Sequence, residues 1–344
     1  MKKTITISIC VAVLAMVATA ANAKSWRINS DETKNADFAS INAAMSSSEV
    51  IAGDTLYLDP GCTLTGTQTV TKQVTIVGLG YFRDDSPHNF AIIKGALYLR
   101  NPLIKVEGVI LEGKTYFEAQ YVTLERCKTS DIGFGGSQYT AKYATIRQCY
   151  VTGQIMGAGE TDVRTSNWTI ENCIIIYSNS YDPINRFYNP IIRNNYIKPS
   201  YSSAGSASVA YITGGMMINN ICFNTNFLDS GGPYKMTDCV ITNNVFHAAS
   251  VKEAYPNNVF IDTNKEETVF VLKGTNDQRY QLKADSPAKG AATDGGDCGP
   301  FGGLYPYVIG GKPAGYPYYT KAVIGTRAEN GKINVSLNIK MQNE

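Results

Sequence analysis

Short aliphatic runs interrupted by a pair of polar residues recur along the middle of the chain. IIRNNYI (191–197), MMINNIC (216–222) and VITNNVF (240–246) share this pattern, and TIENCII (169–175) has cysteine as the second residue of the pair. If that second residue is taken as an anchor, the series is Cys127, Cys149, Cys173, Asn195, Asn220 and Asn244, at intervals of 22, 24, 22, 25 and 24 residues. A repeat of this length without helical periodicity predicts a parallel β-solenoid, whose coils stack about 4.8 Å apart.

The polar pair has an architectural explanation in such a solenoid. The residue before each anchor falls at a bend between two strands, where asparagine tolerates the left-handed conformation best after glycine. The anchor is predicted to point inward, so that asparagine amides bond from coil to coil while cysteines fill the same slot as small apolar groups. Oxidation of one neighbouring pair, Cys127–Cys149 or Cys149–Cys173, stays open.

A charged column supports this register. Two residues before the anchors stand side chains that alternate in sign, Glu125, Arg147, Glu171 and Arg193. Stacked coils would bring opposite charges together, which predicts ion pairs along the solenoid.

The two ends of the repeat region differ from its middle. DFASINAAM (37–45) predicts an amphipathic helix with Phe38, Ile41 and Met45 on one face and Asp37 or Asn35 as its cap, followed by a strand in GDTLYL (53–58). Near the other end, LYPYVIGGKPAGYPYY predicts an irregular segment, and KINVSLNIK (332–340) alternates as a strand does.

The first residues predict export. MKKTITISICVAVLAMVATAANA has two lysines, a short apolar stretch and an A-x-A site, which indicates a signal peptide over 1–23 without a lipid-anchor signature. We therefore expect a periplasmic or extracellular protein, with a β-helix domain over 24–310 and a tail over 311–344. Without the leader the chain has 29 basic and 29 acidic residues, so neither nucleic-acid binding nor membrane insertion is expected.

The cap helix, the asparagine series and the ending LKADSPAKGAATDGGDCGPFGG (282–303) together resemble the pectate-lyase-like superfamily and exported β-helix proteins of Bacteroidetes. The resemblance implies an all-β, single-stranded right-handed parallel β-helix with an N-terminal cap helix and an irregular tail ending in a strand. It also implies a polysaccharide as partner. Lyases of this superfamily use an arginine or lysine base, often with Ca²⁺ held by carboxylates.

Candidate catalytic residues follow from that implication. The loops GAGETDVR (157–164) and YDPINR (181–186) supply Arg164 and Arg186 as bases, with Asp162 and Asp182 as carboxylates. Asp131, Glu160 and Asp162 are the candidate Ca²⁺ ligands. The alternative is that these are solvated loop charges.

Tyrosines are the stronger outward signal. Exposed rings at the coil spacing suit stacking against sugars, and arginines suit pairing with carboxylates or sulfates. The candidate glycan-binding residues are Tyr150, Tyr177, Tyr181, Tyr188 and Tyr196 with Arg147 and Arg193. The sequence favours a glycan-binding protein without catalysis, and leaves open a polysaccharide lyase and a structural or adhesion component of the surface.

Overall fold

The computed structural model describes residues 23–82, 90–178, 182–199, 208–223, 236–247, 255–261, 265–274, 276–312, 317–324 and 335–341. The chain winds into a right-handed parallel β-helix, in which each coil adds one strand to each of three parallel sheets, A, B and C. This confirms the fold class expected from the sequence. None of the helices within the described ranges has the length and apolar character needed to span a membrane.

Strands are numbered β1 to β30 in chain order. Sheet A contains β1 (Ser25–Ile28), β2 (Thr55–Leu58), β5 (Thr75–Val77), β8 (Lys105–Glu107), β11 (Thr123–Glu125), β14 (Thr145–Arg147), β17 (Thr169–Glu171), β20 (Ile191–Arg193), β23 (Met216–Ile218) and β26 (Val240–Thr242). Sheet B contains β3 (Thr63–Leu64), β6 (Ile92–Ile93), β9 (Ile110–Leu111), β12 (Lys128–Thr129), β15 (Tyr150–Val151), β18 (Ile174–Tyr177), β21 (Tyr196–Pro199), β24 (Ile221–Cys222), β27 (Val245–Phe246) and β28 (Val259–Phe260). Sheet C contains β4 (Gln68–Val70), β7 (Leu97–Leu99), β10 (Thr115–Phe117), β13 (Ile132–Phe134), β16 (Ile155–Met156), β19 (Ile184–Tyr188), β22 (Val209–Thr213) and β25 (Met236–Thr237).

The predicted anchors line the inside of the turn between sheets A and B. Asn195 donates from its backbone N and its Nδ2 to Oδ1 of Asn220, at 3.0 Å each. Asn220 makes the same two bonds to Asn244, and Asn244 repeats them to Asn258, an anchor that the sequence series missed because it follows after only 14 residues. The polar ladder is therefore satisfied along its length, as predicted.

Cysteines occupy the same slot in the earlier coils. Cys127, Cys149 and Cys173 are fully buried free thiols, which confirms their role as core filler. The Cys149 backbone N donates to Cys173 Sγ at 3.4 Å, so sulfur takes over the acceptor role of the amide. Burial raises the pKa of the Cys127 and Cys149 thiols.

The residue before each anchor adopts the left-handed conformation, as the pattern predicted. This holds for Arg126, Gln148, Asn172, Asn194, Asn219 and Asn243, with φ between 53° and 59°. One coil earlier, Gly108 has φ 68° at the equivalent bend. The conformation thus belongs to the turn, and asparagine is one of several residues that accept it.

Two of the three predicted ion pairs form on the outer face of sheet A, those of Glu171 with Arg147 and Arg193, whereas Glu125 pairs with Lys105 instead of Arg147. Glu171, whose side chain is 1% exposed, accepts from Arg147 Nε at 2.6 Å and from Arg193 Nη2 at 2.6 Å. Lys105 Nζ lies 2.8 Å from carboxylate oxygens of both Glu107 and Glu125. Each ion is therefore partnered along the stack.

A short helix, α1 (Ile41–Ser46), closes the first coil, and Ile41 and Met45 are buried as predicted. Its cap is Ser40, whose Oγ accepts from Ala43 N at 3.1 Å, so the capping prediction was wrong. Asp37 instead accepts from Arg27 N at 2.7 Å, because Phe38 pairs with Ile28 of β1 and holds residues 37–38 extended.

After the last coil the chain returns along the side of the solenoid. This segment, residues 265–274 and 276–312, is called the strap below. It packs on the outer face of sheet B, where Tyr196, Phe270 and Tyr280 form a second apolar core. Beyond it, β29 (Pro317–Ile324) and β30 (Val335–Met341) form an antiparallel hairpin, which confirms the predicted strand near the C-terminus and adds a partner for it.

The strap is held by a buried polar network. Asp277 is fully buried and accepts from Gly310 N at 2.5 Å and from the Tyr307 hydroxyl at 3.3 Å. The Tyr307 hydroxyl also bonds to that of Tyr81 at 2.6 Å, and burial raises the pKa of both phenols well above the ordinary value. The strap is therefore an integral part of the fold.

Candidate functional site

The predicted glycan-binding residues do not form one surface. Tyr150 and Tyr196 point outward from sheet B, but the strap covers that face, so Tyr150 is half-buried and Tyr196 is fully buried beneath Phe270 and Tyr280. Tyr196 donates its hydroxyl to Glu266 of the strap. These two tyrosines are packing residues, which corrects the prediction that they face sugar.

The remaining members are scattered over the other faces. Arg147 and Arg193 lie on sheet A, where Glu171 engages both of them. Tyr177 ends β18 and is half-buried, whereas Tyr188 ends β19 of sheet C and is exposed. Tyr181 lies outside the described residues.

Most of the candidate catalytic residues are either paired with another side chain or buried. Asp162 caps the short turn that contains Arg164 and forms an ion pair with its guanidinium, which raises the pKa of Arg164 and lowers that of Asp162. Asp182 is 8% exposed. Arg186 is exposed and has the unusual φ of 62°, and it forms no ion pair within the part of the chain that the structure describes.

The proposed Ca²⁺ ligands do not gather into a site. Asp131 Oδ1 accepts from Gln154 N at 2.7 Å, Asp162 is committed to Arg164, and Glu160 lies in the loop before it. No group of three or more acidic, histidine or cysteine side chains able to hold a metal is found among the described residues. The residues present therefore do not fit the Ca²⁺ expected from the resemblance.

A different group of aromatic residues stands on the outer face of sheet C. Register places Tyr98, Tyr116, Gly133 and Met156 in one outward column, one residue per coil. The rings of Tyr98 and Tyr116 are stacked, with centroids 4.6 Å apart and planes 9° from parallel. Because Tyr98 covers one face of Tyr116, the opposite face looks toward the coil of Gly133, which has no side chain.

Gly133 thus opens a gap in the column, which is called the Gly133 notch and is bounded by Tyr116 and Met156. Two coil steps separate these two residues, about 9.6 Å. Gly133 is buried, and the Lys114 side chain lies in this gap: its Cε would be 2.8 Å from a Cβ built on Gly133. Its Nζ lies 5.2 Å from the Tyr116 ring centroid.

The electrostatics of this face favour an anion at Lys114. Arg100 bonds to the buried carboxylate of Glu118, a hydrogen bond that raises the pKa of Arg100, and Arg164 is paired with Asp162. Lys114 has no carboxylate within ion-pair distance among the described residues, and its ammonium lies over the Tyr116 ring. The notch therefore combines an aromatic ring with a cation that has no acidic partner among the described residues.

The most exposed tyrosines offer a different geometry. Tyr121 and Tyr143, 48% and 45% exposed, stack on each other at 5.1 Å with planes 8° apart, at the turn from sheet C to sheet A. In such a pair the faces are turned along the solenoid axis and the edges toward solvent. A sugar ring that needs an aromatic face finds it at Tyr116, where the column is interrupted.

Sequence reasoning missed the notch because its series of anchors began at Cys127. Backbone bonds from Ile110 N to Ala91 O and from Lys128 N to Val109 O show that Ala91 and Val109 hold the equivalent positions in earlier coils. Those coils are shorter: Arg100 and Glu118, which occupy equivalent positions in consecutive coils, are 18 residues apart. Extending the series upstream at that spacing would have aligned Tyr98 with Tyr116.

Comparison with known proteins does not identify a family for this chain. No family model matches the chain, and no curated protein matches it. Among solved structures, a pectate lyase from Bacillus sp. N165 in complex with trigalacturonate is similar, with a TM-score of 0.43 and 10% sequence identity over 77% of this chain and 90% of that chain. At this level the similarity says nothing about what this chain binds.

Proposed function

We propose that this chain is an exported, polysaccharide-associated β-helix protein that binds an acidic glycan on the outer face of sheet C without cleaving it. One sugar ring enters the Gly133 notch as the flexible Lys114 side chain moves out of it, so that an apolar face of the sugar packs against Tyr116 and its carboxylate or sulfate pairs with Lys114. The observation that carries the proposal is the Lys114 ammonium, which lies over the Tyr116 ring and has no acidic partner among the described residues.

The physical balance favours an acidic ligand over a neutral one. Ring stacking contributes about 0.5–1.5 kcal/mol, and a hydrogen bond between an ammonium and a carboxylate contributes about 1.5–3 kcal/mol. A neutral sugar would gain the first contribution only. Binding should therefore weaken as salt is added.

The test is calorimetric titration with oligogalacturonate, oligoalginate and heparin-derived oligosaccharides. At least one acidic oligosaccharide is expected to bind, and Tyr116→Ala and Lys114→Ala should each weaken binding about tenfold, the equivalent of about 1.4 kcal/mol. Tyr121→Ala is the matched control, since it removes an equally stacked but edge-on tyrosine. Loss of binding in Tyr121→Ala with none in Tyr116→Ala would reject the site.

A polysaccharide lyase is the second candidate, and Arg186 supports it. Its guanidinium is exposed and forms no ion pair among the described residues, and register places it one coil beyond Gly157, next to Met156 of the notch. β-Elimination produces an unsaturated, ultraviolet-absorbing sugar end. Rising absorbance in the same incubations, abolished by Arg186→Ala, would replace the binding-only proposal with the lyase.

A further inference from the structure

A groove of about 970 Å³ lies between the outer face of sheet A and the strap, on a different side of the solenoid from the Gly133 notch. Its volume is within the range of sites that hold small ligands, roughly 300–1,000 Å³. Its floor is the upstream part of the charge ladder, and its wall is the strap around residues 301–312. The groove is separate from the glycan site proposed on sheet C and is not filled by either apolar core.

The charges of the floor compensate one another. Lys105 bonds to Glu107 and Glu125, Arg126 lies 3.3 Å from Glu107, and Arg147 is paired with Glu171 outside the groove. Burial lowers the pKa of Lys105, but the hydrogen bonds to the two glutamates outweigh burial and raise it, so this ammonium stays protonated. Lys312, a further cation that lines the groove from the strap side, is also engaged, so a ligand with a net charge would have to break one of these interactions.

Hydroxyl groups do not impose that penalty. Each hydroxyl both donates and accepts, so a sugar can donate to Glu125 while it accepts from Lys105. The exposed Gln281 at the strap side supplies an amide, which also donates and accepts. The floor therefore matches an uncharged polyhydroxylated ligand.

The wall supplies the apolar complement. Leu304 is 79% exposed, an unusual degree for a large aliphatic side chain, and Tyr305 beside it is 36% exposed. The Arg147 guanidinium lies 3.8 Å from the Tyr305 ring centroid and fixes that ring against the floor. A pyranose presents C–H groups on its faces and hydroxyls around its rim, which fits an apolar wall beside a polar floor.

We infer that this groove is a second saccharide site, which binds a neutral oligosaccharide segment independently of the acidic-glycan site on sheet C. Its ligand lies against Leu304 and Tyr305 and bonds through its hydroxyls to Lys105, Glu125 and Gln281. A chain with both sites would contact a mixed polysaccharide at two faces, which raises its apparent affinity by increasing the local concentration.

The experiment is titration of the full-length mature protein with neutral hexasaccharides of cellulose, xylan, mannan and starch type, followed by saturation-transfer NMR. We expect at least one to bind with a millimolar or lower Kd, and Leu304→Ser and Gln281→Ala to weaken it about fivefold or more. Both substituted side chains are exposed, so the fold should persist. Tyr116→Ala is the matched control from the other site and should leave neutral binding unchanged.

Two results would overturn the inference. One is no transfer to any of the four hexasaccharides at about 10 mM, a concentration that detects even very weak binding. The other is neutral binding that is lost in Tyr116→Ala and kept in Leu304→Ser and Gln281→Ala, which assigns all saccharide binding to sheet C. Failure of acidic binding alone leaves this site intact, so the two proposals fail separately.

Discussion

Replacing Asn220 by leucine tests whether the asparagine ladder stabilises the solenoid. The Asn220 side chain is fully buried and makes five hydrogen-bond contacts: its Oδ1 accepts from Asn195 N and Nδ2, and the two protons of its Nδ2 are shared among Ile192 O, Ile218 O and Asn244 Oδ1. Leucine removes all five contacts. The backbone N–H of Asn195, which donates to Asn220 Oδ1 in the unsubstituted protein, is then left without an acceptor.

The magnitude follows from those bonds. An orphaned buried donor costs about 1–3 kcal/mol, and the other lost bonds cost about 0.5–1.5 kcal/mol each, partly offset by the greater apolar burial of leucine. We expect the free energy of unfolding to fall by about 3–5 kcal/mol, as measured by equilibrium denaturation in urea. Asn220→Cys should lose less, because Cys173 Sγ already serves as an acceptor in this column.

Asn101→Leu is the matched control. Asn101 is half-buried and donates one bond, to Thr71 O at 3.0 Å, so the same substitution there should cost less than about 1 kcal/mol. A loss in Asn220→Leu no larger than that in Asn101→Leu would refute the reasoning, because the ladder would then add nothing beyond an ordinary surface hydrogen bond.

Three further predictions concern the charge ladder and the strap. Glu171→Gln should lower the free energy of unfolding by about 2–4 kcal/mol, because two arginines lose their shared buried carboxylate; an unchanged urea midpoint would contradict this. Asp277→Asn should loosen the strap, seen as faster hydrogen exchange over 301–312 with unchanged exchange in the coils; equal exchange in both proteins would count against the network. The pKa of the Tyr81 phenol is raised in the folded state, so the contribution of this phenol to the free energy of unfolding is complete below about pH 10 and is lost as pH rises further. Tyr81→Phe should therefore make the free energy of unfolding fall less steeply with pH, as measured by denaturation from about pH 8 to about pH 11.

The inward half of the fold was predictable because it repeats locally. Each anchor, such as Cys173 or Asn195, contacts the anchor of the coil before it and of the coil after it. The interval of 22 residues between these two anchors can be read directly from the sequence. The environment of the outward faces was not predictable, because the segments that cover them lie far away in the sequence. Tyr196 bonds to Glu266, 70 residues later, and Gln148 bonds to Pro306, 158 residues later.

The sequence predicted outward tyrosines at the coil spacing, and Tyr98 and Tyr116 stack in this way. An outward tyrosine is exposed only where no segment packs on it. The strap covers the outer face of sheet B, whereas the outer column of sheet C at Tyr98 and Tyr116 lies on a face that the strap does not cover. The pairing of Arg147 and Arg193 with Glu171 follows from the stacking that the sequence predicted.

Filling the Gly133 notch is the most direct test of glycan binding on sheet C. Gly133 does not require a positive φ, and the nearest atom to an added Cβ is the flexible end of Lys114, so Gly133→Leu should fold with little loss of stability. The measurement is the Kd for the acidic oligosaccharide by calorimetry, alongside the urea midpoint. We expect binding to weaken at least about tenfold at an unchanged midpoint, since leucine occupies the space beside Tyr116. Binding as tight as in the unsubstituted protein would contradict the proposed site.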